Sequence, residues 1–318
     1  MSYREPDLTR LRTVPFAARP HQVDLSRLAA VPGPDRSFRA FLRSLPALLA
    51  GDHLRQVAAA IAAAARAGRG VVLLVGGHVI KTGLGPLLGD WIRRGIVSHL
   101  ALNGAAAIHD VELAAFGATS EEVEAGLGEG LFGMAEETGA GMNQALREAQ
   151  RRGWGAGEGL AAWLAARSDL AGADASVLLA AHRYRVPVTV HMALGAEVIH
   201  QHPAADGAAI GETGLRDFRR LAGSLPALDQ GGVVLNLGSA VVLPEVFLKA
   251  LSVARNLGHG QPTGFLAADF DMIRQYRPRV NVVERPTRAG GTGLLFTGHH
   301  ELLVPLLAWA VVEEFERP

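Results

Sequence analysis

Short, continuous apolar runs that alternate with helical segments are the feature that most restricts the fold of this chain. The run Val-Val-Leu-Leu-Val at 71–75 has no polar position, which is typical of a strand buried on both faces. Helix-forming residues at 85–95 follow it, and a second run at 97–102 comes next. Because the connections are short, this order predicts a β-α-β unit, the building block of a parallel sheet.

The same alternation continues to the end of the sequence. The pattern predicts further strands over 186–190, 232–238, 264–270 and 279–284. It predicts helices over 53–68, 176–183, 214–225, 243–258 and 301–315. The expected fold class is therefore α/β, with a Rossmann-like, mostly parallel sheet flanked by helices.

The domain organisation follows from where this alternation starts. Residues 1–50 contain repeated prolines and predict an irregular N-terminal arm with one short helix near 38–49. Residues 51–318 are expected to form one domain. A stretch rich in Ala, Gly and Glu at 119–170 predicts a helical insert within it.

Charge and cysteine content exclude several classes of function. The 31 basic and 31 acidic residues balance, whereas a nucleic-acid-binding protein needs a basic surplus or stripe. The absence of cysteine excludes disulfides, thiolate nucleophiles and cysteine-ligated metals. The first residues lack the apolar core of a signal peptide, and the apolar run at 302–312 is too short to span a bilayer. We therefore expect a cytoplasmic protein without membrane contact.

Lysine is rare in this chain, which places weight on Lys81. Only two of the 31 basic residues are lysines, Lys81 and Lys249, and Lys81 follows the apolar run 71–75. A buried lysine can act as a base or form an imine, since burial favours the neutral amine and arginine stays charged. The alternative is a charged lysine that contacts a phosphate or a ribose.

Glycines and polar residues collect just after the predicted strands. In an open parallel sheet ligands bind at these carboxyl ends, so these positions are candidate contacts. None of these strand ends carries a Gly-x-Gly-x-x-Gly fingerprint or a P-loop, and glycines at such places also serve simply as tight turns. Asp110 and Glu112 near a helix start either stabilise the helix dipole or bind a ribose hydroxyl or a substrate amine.

Three histidines lie close together after the strand predicted at 186–190. His191, His200 and His202, with Glu197 and Asp206 nearby, could form a metal site, because imidazole and carboxylate are ligands for zinc, manganese or iron. Their spacing matches no established motif, and ordinary loop histidines explain them as well. We therefore predict no bound metal. His300 either caps the last predicted helix or faces the active site.

The segment GGHVIKTGL at 76–84 and the segment VSHLALNGAAAIHDVE at 97–112 resemble the deoxyhypusine synthase family. The similarity continues in order through LNLGSAVVLPEVFLKA at 235–250, AADFD at 267–271 and HELLVPLLA at 300–308. The resemblance implies an NAD-binding Rossmann-like domain. It also implies a homotetramer with sites between subunits.

The departures from that family concern its catalytic residues. The family histidine that follows its Gly-rich strand end has no counterpart in Leu243-Pro244-Glu245. The segment that carries the family's catalytic lysine corresponds to residues 284–288 here, which contain neither Lys nor Trp. The family's acidic cluster is reduced to Asp269 and Asp271 in this chain. Synthesis of deoxyhypusine is therefore not expected.

A shorter similarity points to related chemistry. Residues 103–112 together with 116–120 resemble a segment of NAD-dependent ornithine cyclodeaminases. Both families use NAD to oxidise a carbon that bears nitrogen and proceed through an imine. This implies an NAD-dependent enzyme, a transferase or deaminase, that acts on a small amine, polyamine or amino acid through an imine.

The candidate residues divide into two groups. The catalytic candidates are Lys81, His109, His191 and His300. The candidates for NAD contacts are Gly76, Gly77, His78, Thr82, Asn103, Gly104, Asp110, Glu112, Gly238, Ser239, Asp269 and Asp271. Two other interpretations remain: a metal-assisted hydrolase or lyase using His191, His200 and His202, and a catalytically inactive protein that binds a nucleotide or a polyamine.

Overall fold

The computed structural model describes residues 3–258 and 261–317. Contacts within the chain divide it into two units, residues 1–52 and residues 53–318. In the first unit the described residues form the 3-10 turns Leu8–Arg10, Phe16–Ala18 and Leu25–Arg27 and helix α1, Phe38–Ser44. Asp7 and Asp24 accept a hydrogen bond from the backbone two residues ahead, so the first and the third of these turns are capped locally.

The described part of the second unit contains one six-stranded sheet in which every strand pairing is parallel. The strands are β1 Val71–Val75, β2 His99–Asn103, β3 Val188–His191, β4 Val233–Leu237, β5 Leu266–Asp271 and β6 Thr292–Thr297. They lie in the order β3-β2-β1-β4-β5-β6. The chain therefore has the predicted α/β, Rossmann-like fold. Val75 pairs with both Leu102 and Leu237, so β1, β2 and β4 end at about the same level.

Helices connect the strands and cover both faces of the sheet. They are α2 Leu49–Arg66, α3 Gly77–Lys81, α4 Gly85–Arg93, α5 Gly104–Phe116, α6 Val123–Glu129, α7 Glu136–Arg152, α8 Ala156–Ala165, α9 Val177–Tyr184, α10 Gly207–Ser224, α11 Val242–Asn256, α12 Arg285–Thr287 and α13 His300–Phe315. Helices α6, α7 and α8 lie within residues 119–170, the segment expected to form an insert. Among the described residues, no helix combines the length and apolarity that a bilayer crossing requires.

The strand predicted over 279–284 was wrong. Residues Pro278–Glu284 form a π-helical turn that leads into α12, and the sixth strand lies later, at 292–297. Two neighbouring parallel strands need a crossover connection, and this segment provides it between β5 and β6. Val280, Val282 and Val283 are buried, so their apolar pattern reports burial and not an extended backbone.

Asp217 of α10 ties the helical insert to the sheet. Its Oδ2 accepts hydrogen bonds from the backbone N–H of Gly157 in α8 and of Val190 in β3, each at 2.8 Å. The side chain is fully buried, and this burial raises the pKa of Asp217 to about 7. The carboxyl group thus satisfies two buried donors that come from separate elements.

We expect Asp217→Ala to destabilise the protein by about 3 kcal/mol, since two buried N–H groups lose their acceptor. Asp217→Asn keeps an acceptor and should cost less. Because the folded-state pKa of Asp217 lies above the ordinary value of 3.8, its favourable contribution is complete below that value and is lost progressively as pH rises to about 7. Urea unfolding at about pH 5 and about pH 8 should test this. The free energy of unfolding of the wild type should exceed that of Asp217→Asn by less at the higher pH. An unchanged advantage would contradict this assignment.

Candidate functional site

The strand order reverses between β1 and β4, and open α/β sheets bind ligands outside the carboxyl ends of the strands at such a reversal, in a crevice. Gly76 and Gly238 line it, directly after the two strands. A Cβ atom on Gly76 would lie 2.1 Å from the carbonyl oxygen of Gly238, so only glycine permits this approach of the two backbones. Gly238 has a φ of +67°, which also favours glycine. We call this region the crevice.

Buried polar groups lie beside the crevice on β4 and β5. Asn236 donates from Nδ2 to Asp269 Oδ1 at 2.7 Å and to the carbonyl oxygen of Ser239 at 3.1 Å. Burial raises the pKa of Asp269 to about 7, and the neighbouring Asp271 adds to that rise. Within the described residues the Oδ1 atom of Asn236 has no hydrogen-bond partner. A buried acceptor of this kind indicates a place where a ligand can donate a hydrogen bond.

His300 closes the crevice from the first turn of α13. Its Nε2 donates to the carbonyl oxygen of Phe270 at 3.1 Å, and its buried Nδ1 has no partner among the described residues. Burial lowers the pKa of His300, against the opposing effects of this hydrogen bond and of Asp271. The ring centroid of His78 on α3 lies 5.6 Å from that of His300. Two of the predicted residues, His78 and His300, therefore meet at this edge.

A cavity of about 780 Å³ lies next to the crevice, at the ends of β2 and β3. Its polar lining includes the predicted residues Lys81, Asn103, His109 and Glu112, together with Glu197. Asn103 also caps α5, because its side chain accepts a hydrogen bond from the backbone N–H of Ala106 at 2.9 Å. Residues of the 116–138 segment, most of which belongs to the insert, also line the cavity.

A chain of hydrogen bonds runs along one wall of this cavity. Thr119 Oγ1 lies 2.7 Å from His109 Nδ1 and donates to Glu112 Oε2. Thr138 of α7 donates to the other carboxylate oxygen of Glu112 at 3.1 Å. Burial lowers the pKa of His109, Glu112 opposes this, and Lys81 and His78 lower it further. His109 is therefore largely neutral near pH 7 and can accept a proton.

Glu197 is the second carboxylate of the cavity wall, and its Oε1 accepts from the backbone N–H of Ala193 at 3.1 Å. Its Oε2 is buried and has no hydrogen-bond partner among the described residues. Burial raises the pKa of Glu197. A Cβ atom on Gly104 would lie 2.1 Å from Oε1, so the glycine at the start of α5 leaves room for this carboxylate. An acceptor with an unused oxygen can bind a donor such as a substrate amine.

The surroundings of Lys81 differ from the buried ones considered from the sequence. It is the last residue of the five-residue helix α3 and its side chain is exposed, although it does line the cavity. The burial that was to favour a neutral amine is therefore absent. Of the two roles considered from the sequence, the exposed position favours a charged contact to a ligand anion.

Asp110 and Thr82 are engaged in local structure. Asp110 is fully buried and accepts from Ser176 Oγ at 2.6 Å and from the backbone N–H groups of Val177 and Leu178 at 2.7 and 3.1 Å. It thereby holds the first turn of α9, and the ribose contact predicted for it does not fit this position. Thr82 Oγ1 donates to the carbonyl oxygen of His78 at 2.9 Å, within its own turn.

The histidines at 191, 200 and 202 do not converge. His191 is buried in β3 and hydrogen bonds to Thr189 at 3.0 Å, and burial lowers the pKa of His191 to about 4. His202 Nε2 lies 3.2 Å from Glu136 Oε2, whereas His200 Nδ1 accepts from the backbone N–H of Gly195 at 3.1 Å. Over residues 3–258 and 261–317, no three or more His, Cys, Asp or Glu side chains are grouped to hold a metal. The metal-site interpretation, and with it a cavity position for His191, is not supported.

Sequence reasoning missed Thr119, Thr138, Asn236 and the cavity position of Glu197. Thr119 does lie in the Phe116–Ser120 segment on which the cyclodeaminase resemblance rests, so a signal was present. Asn236 lies inside a strand and Thr138 inside a helix, and only the fold brings them to the site.

Comparison with known proteins gives fold-level similarity. No protein-family model and no curated protein sequence match this chain. The ternary complex of AgrE with ornithine and NAD⁺ is similar with a TM-score of 0.52 and 20% identity, covering 82% of this chain and 33% of that one. ArgZ, an arginine dihydrolase from the ornithine–ammonia cycle in cyanobacteria, gives a TM-score of 0.50 and 15% identity, covering 84% and 33%.

A candidate deoxyhypusine synthase from Entamoeba histolytica is similar with a TM-score of 0.51 and 11% identity, covering 91% of this chain and 99% of that one. This chain thus spans about a third of the length of AgrE and ArgZ but nearly the whole of the Entamoeba protein. At these identities the comparisons establish a shared α/β architecture.

Proposed function

We propose that this protein binds NAD in the crevice and acts on a small amine or amino acid held in the adjacent cavity. The observation that carries the proposal is the pair of buried, unpartnered polar atoms beside the crevice, Asn236 Oδ1 and His300 Nδ1. They lie where the strand order reverses, the position at which open α/β sheets bind nucleotides.

The residues around the crevice suit a dinucleotide. Gly76 and Gly238 present backbone without side chains, and a nucleotide that donates from its amide or ribose hydroxyls could satisfy Asn236 and His300. Bound NAD would accept and return a hydride at the carbon that bears nitrogen. The residues proposed to hold it are Gly76, Gly77, His78, Asn103, Gly104, Asn236, Gly238, Ser239, Asp269, Asp271 and His300.

The cavity suits an amine that carries a positive charge. Glu197 offers an unused carboxylate oxygen, and Lys81 can bind a carboxylate if the substrate is an amino acid. His109 is the proposed base, because its imidazole is neutral near pH 7 and lines the same cavity. The similarly folded AgrE was solved with ornithine and NAD⁺ together, which is in line with this pairing of ligands.

Calorimetry with NAD and with NADP tests the cofactor half of the proposal. We expect saturable binding of one of the two and an increase in Tm on its addition. Asn236→Leu should weaken binding about tenfold or more, since a hydrogen bond in a buried site is worth about 1–3 kcal/mol. Glu197→Gln is the matched control, because it alters the cavity and leaves the crevice intact.

The outcomes separate the possible functions. Absence of heat and of thermal shift at millimolar NAD and NADP would refute the proposal. Cofactor binding without turnover of any amine or amino acid would instead identify a nucleotide-binding protein that is not an enzyme.

A further inference from the structure

Thr119 touches two groups at once, and this restricts where its single proton can go. Its Oγ1 lies in hydrogen-bond contact with Glu112 Oε2 and 2.7 Å from His109 Nδ1. An ionised carboxylate only accepts hydrogen bonds, so the Thr119 hydroxyl must donate to Glu112. The hydroxyl oxygen can then only accept from His109, which requires the proton of the neutral imidazole to be on Nδ1.

We propose that Thr119 is a positioning residue that fixes His109 as the Nδ1–H tautomer and leaves the lone pair on Nε2. Without such a partner either nitrogen could carry the proton, and a proton on Nε2 would prevent that atom from acting as a base. The tautomer assignment stands on the hydrogen bonds alone, whereas the role of Nε2 as a base rests on the proposed function.

The backbone explains how Thr119 reaches this place. His109 and Glu112 are three residues apart on α5 and therefore share one face of that helix. Gly117 ends α5 in the left-handed region with a φ of +76°, which turns the chain back along the helix it has just left. Thr119 follows two residues later and lies against both side chains.

Helix α7 holds the other end of this arrangement. Thr138 donates to Glu112 Oε1, so hydroxyls from the beginning of the insert and from its second helix occupy both carboxylate oxygens. Glu112 is thereby oriented toward Thr119. The direct ribose contact considered for Glu112 from the sequence would have to use the lone pairs that these two hydroxyls leave.

This arrangement serves the transfer of one proton from the substrate to His109. The N–H bond of a bound ammonium breaks, its electron pair stays on the substrate nitrogen, and a new N–H bond forms at His109 Nε2. The resulting imidazolium is linked to Glu112 through the hydroxyl of Thr119. The other positive or titratable groups that act on it are Lys81 and His78. Glu112 favours the charged ring, and the other two disfavour it.

Nitrogen-15 NMR of histidine-labelled protein tests the proposal without any substrate. Of the 12 histidines, His109 is assigned by the signal lost in His109→Gln. At a pH where the ring is neutral, long-range proton–nitrogen correlations should show the proton on Nδ1. Thr119→Ser keeps the hydroxyl and should preserve this pattern, whereas Thr119→Val should shift it to a mixture or to Nε2–H.

A titration of His109 gives a second readout. Thr119→Val breaks the link to Glu112, so the pKa of His109 should be lower in this variant than in the wild type and in Thr119→Ser. A proton on Nε2 in the wild-type protein would overturn the proposal, as would an unchanged Nδ1–H tautomer in Thr119→Val. Failure of NAD to bind would leave these spectra unaltered, so the two proposals can fail separately.

Discussion

Replacing His109 with glutamine should lower the rate of amine turnover by about 10²- to 10⁴-fold, the usual contribution of a positioned base. Glutamine keeps a polar side chain of similar reach but cannot accept a proton at neutral pH. NAD affinity should stay within about twofold of the wild type, because His109 lines the cavity and not the crevice. Turnover is measured as substrate consumption and ammonia release with a panel of amino acids that starts with ornithine and arginine.

The control for this variant is His182→Gln, an exposed histidine on α9 outside the cavity lining, which should leave turnover unchanged. Since burial lowers the pKa of His109, the acid limb of the rate profile should lie below the ordinary histidine value of about 6.5. Turnover by His109→Gln at the wild-type rate would remove this residue from the mechanism and shift attention to His300.

Substituting alanine for Gly76 should destabilise the protein by about 3 kcal/mol or more, because the added Cβ has no room. It would lie 2.1 Å from the carbonyl oxygen of Gly238 and 2.9 Å from the backbone nitrogen of Ser239. Both contacts are with backbone, so no side-chain rotation relieves them. The ends of the two central strands would have to separate.

Gly214→Ala is the matched control. Gly214 lies within α10 and a Cβ there meets nothing within 4 Å, so alanine should stabilise the protein by about 0.5–1 kcal/mol. Urea unfolding of both variants measures the difference. Equal stability of Gly76→Ala and Gly214→Ala would show that the crevice is less tightly built than described.

The strands were predictable where burial produces an unbroken apolar run. The bounds predicted for β1, 71–75, agree with the structure, because this central strand has neighbours on both sides and is buried throughout. The same reasoning failed at 279–284, where buried valines belong to a crossover turn. β6 was missed because it lies at the edge of the sheet, where alternate positions stay exposed and the apolar signal is weaker.

The candidate site was predictable only as far as position along a strand decides it. Residues directly after a strand, such as Gly76 and Gly238, do line the crevice. Within α5 the same rule could not predict that Asp110 contacts α9 whereas Glu112 lines the cavity, since it does not say which face of the helix turns toward α9. Asn236 could not be identified, because its role depends on pairing with Asp269 across two strands.

The position of β1 in the sheet affects how the chain is made. Val71 pairs with Val233 on one side, so the partner β4 leaves the ribosome long after β1 does. At ordinary rates of translation the open edge of β1 waits on the order of ten seconds for that partner. During this interval the nascent chain holds β1, β2 and β3 with an unpaired, wholly apolar edge, the kind of surface on which strands of other molecules dock. We therefore expect aggregation during synthesis to compete with correct folding for this topology.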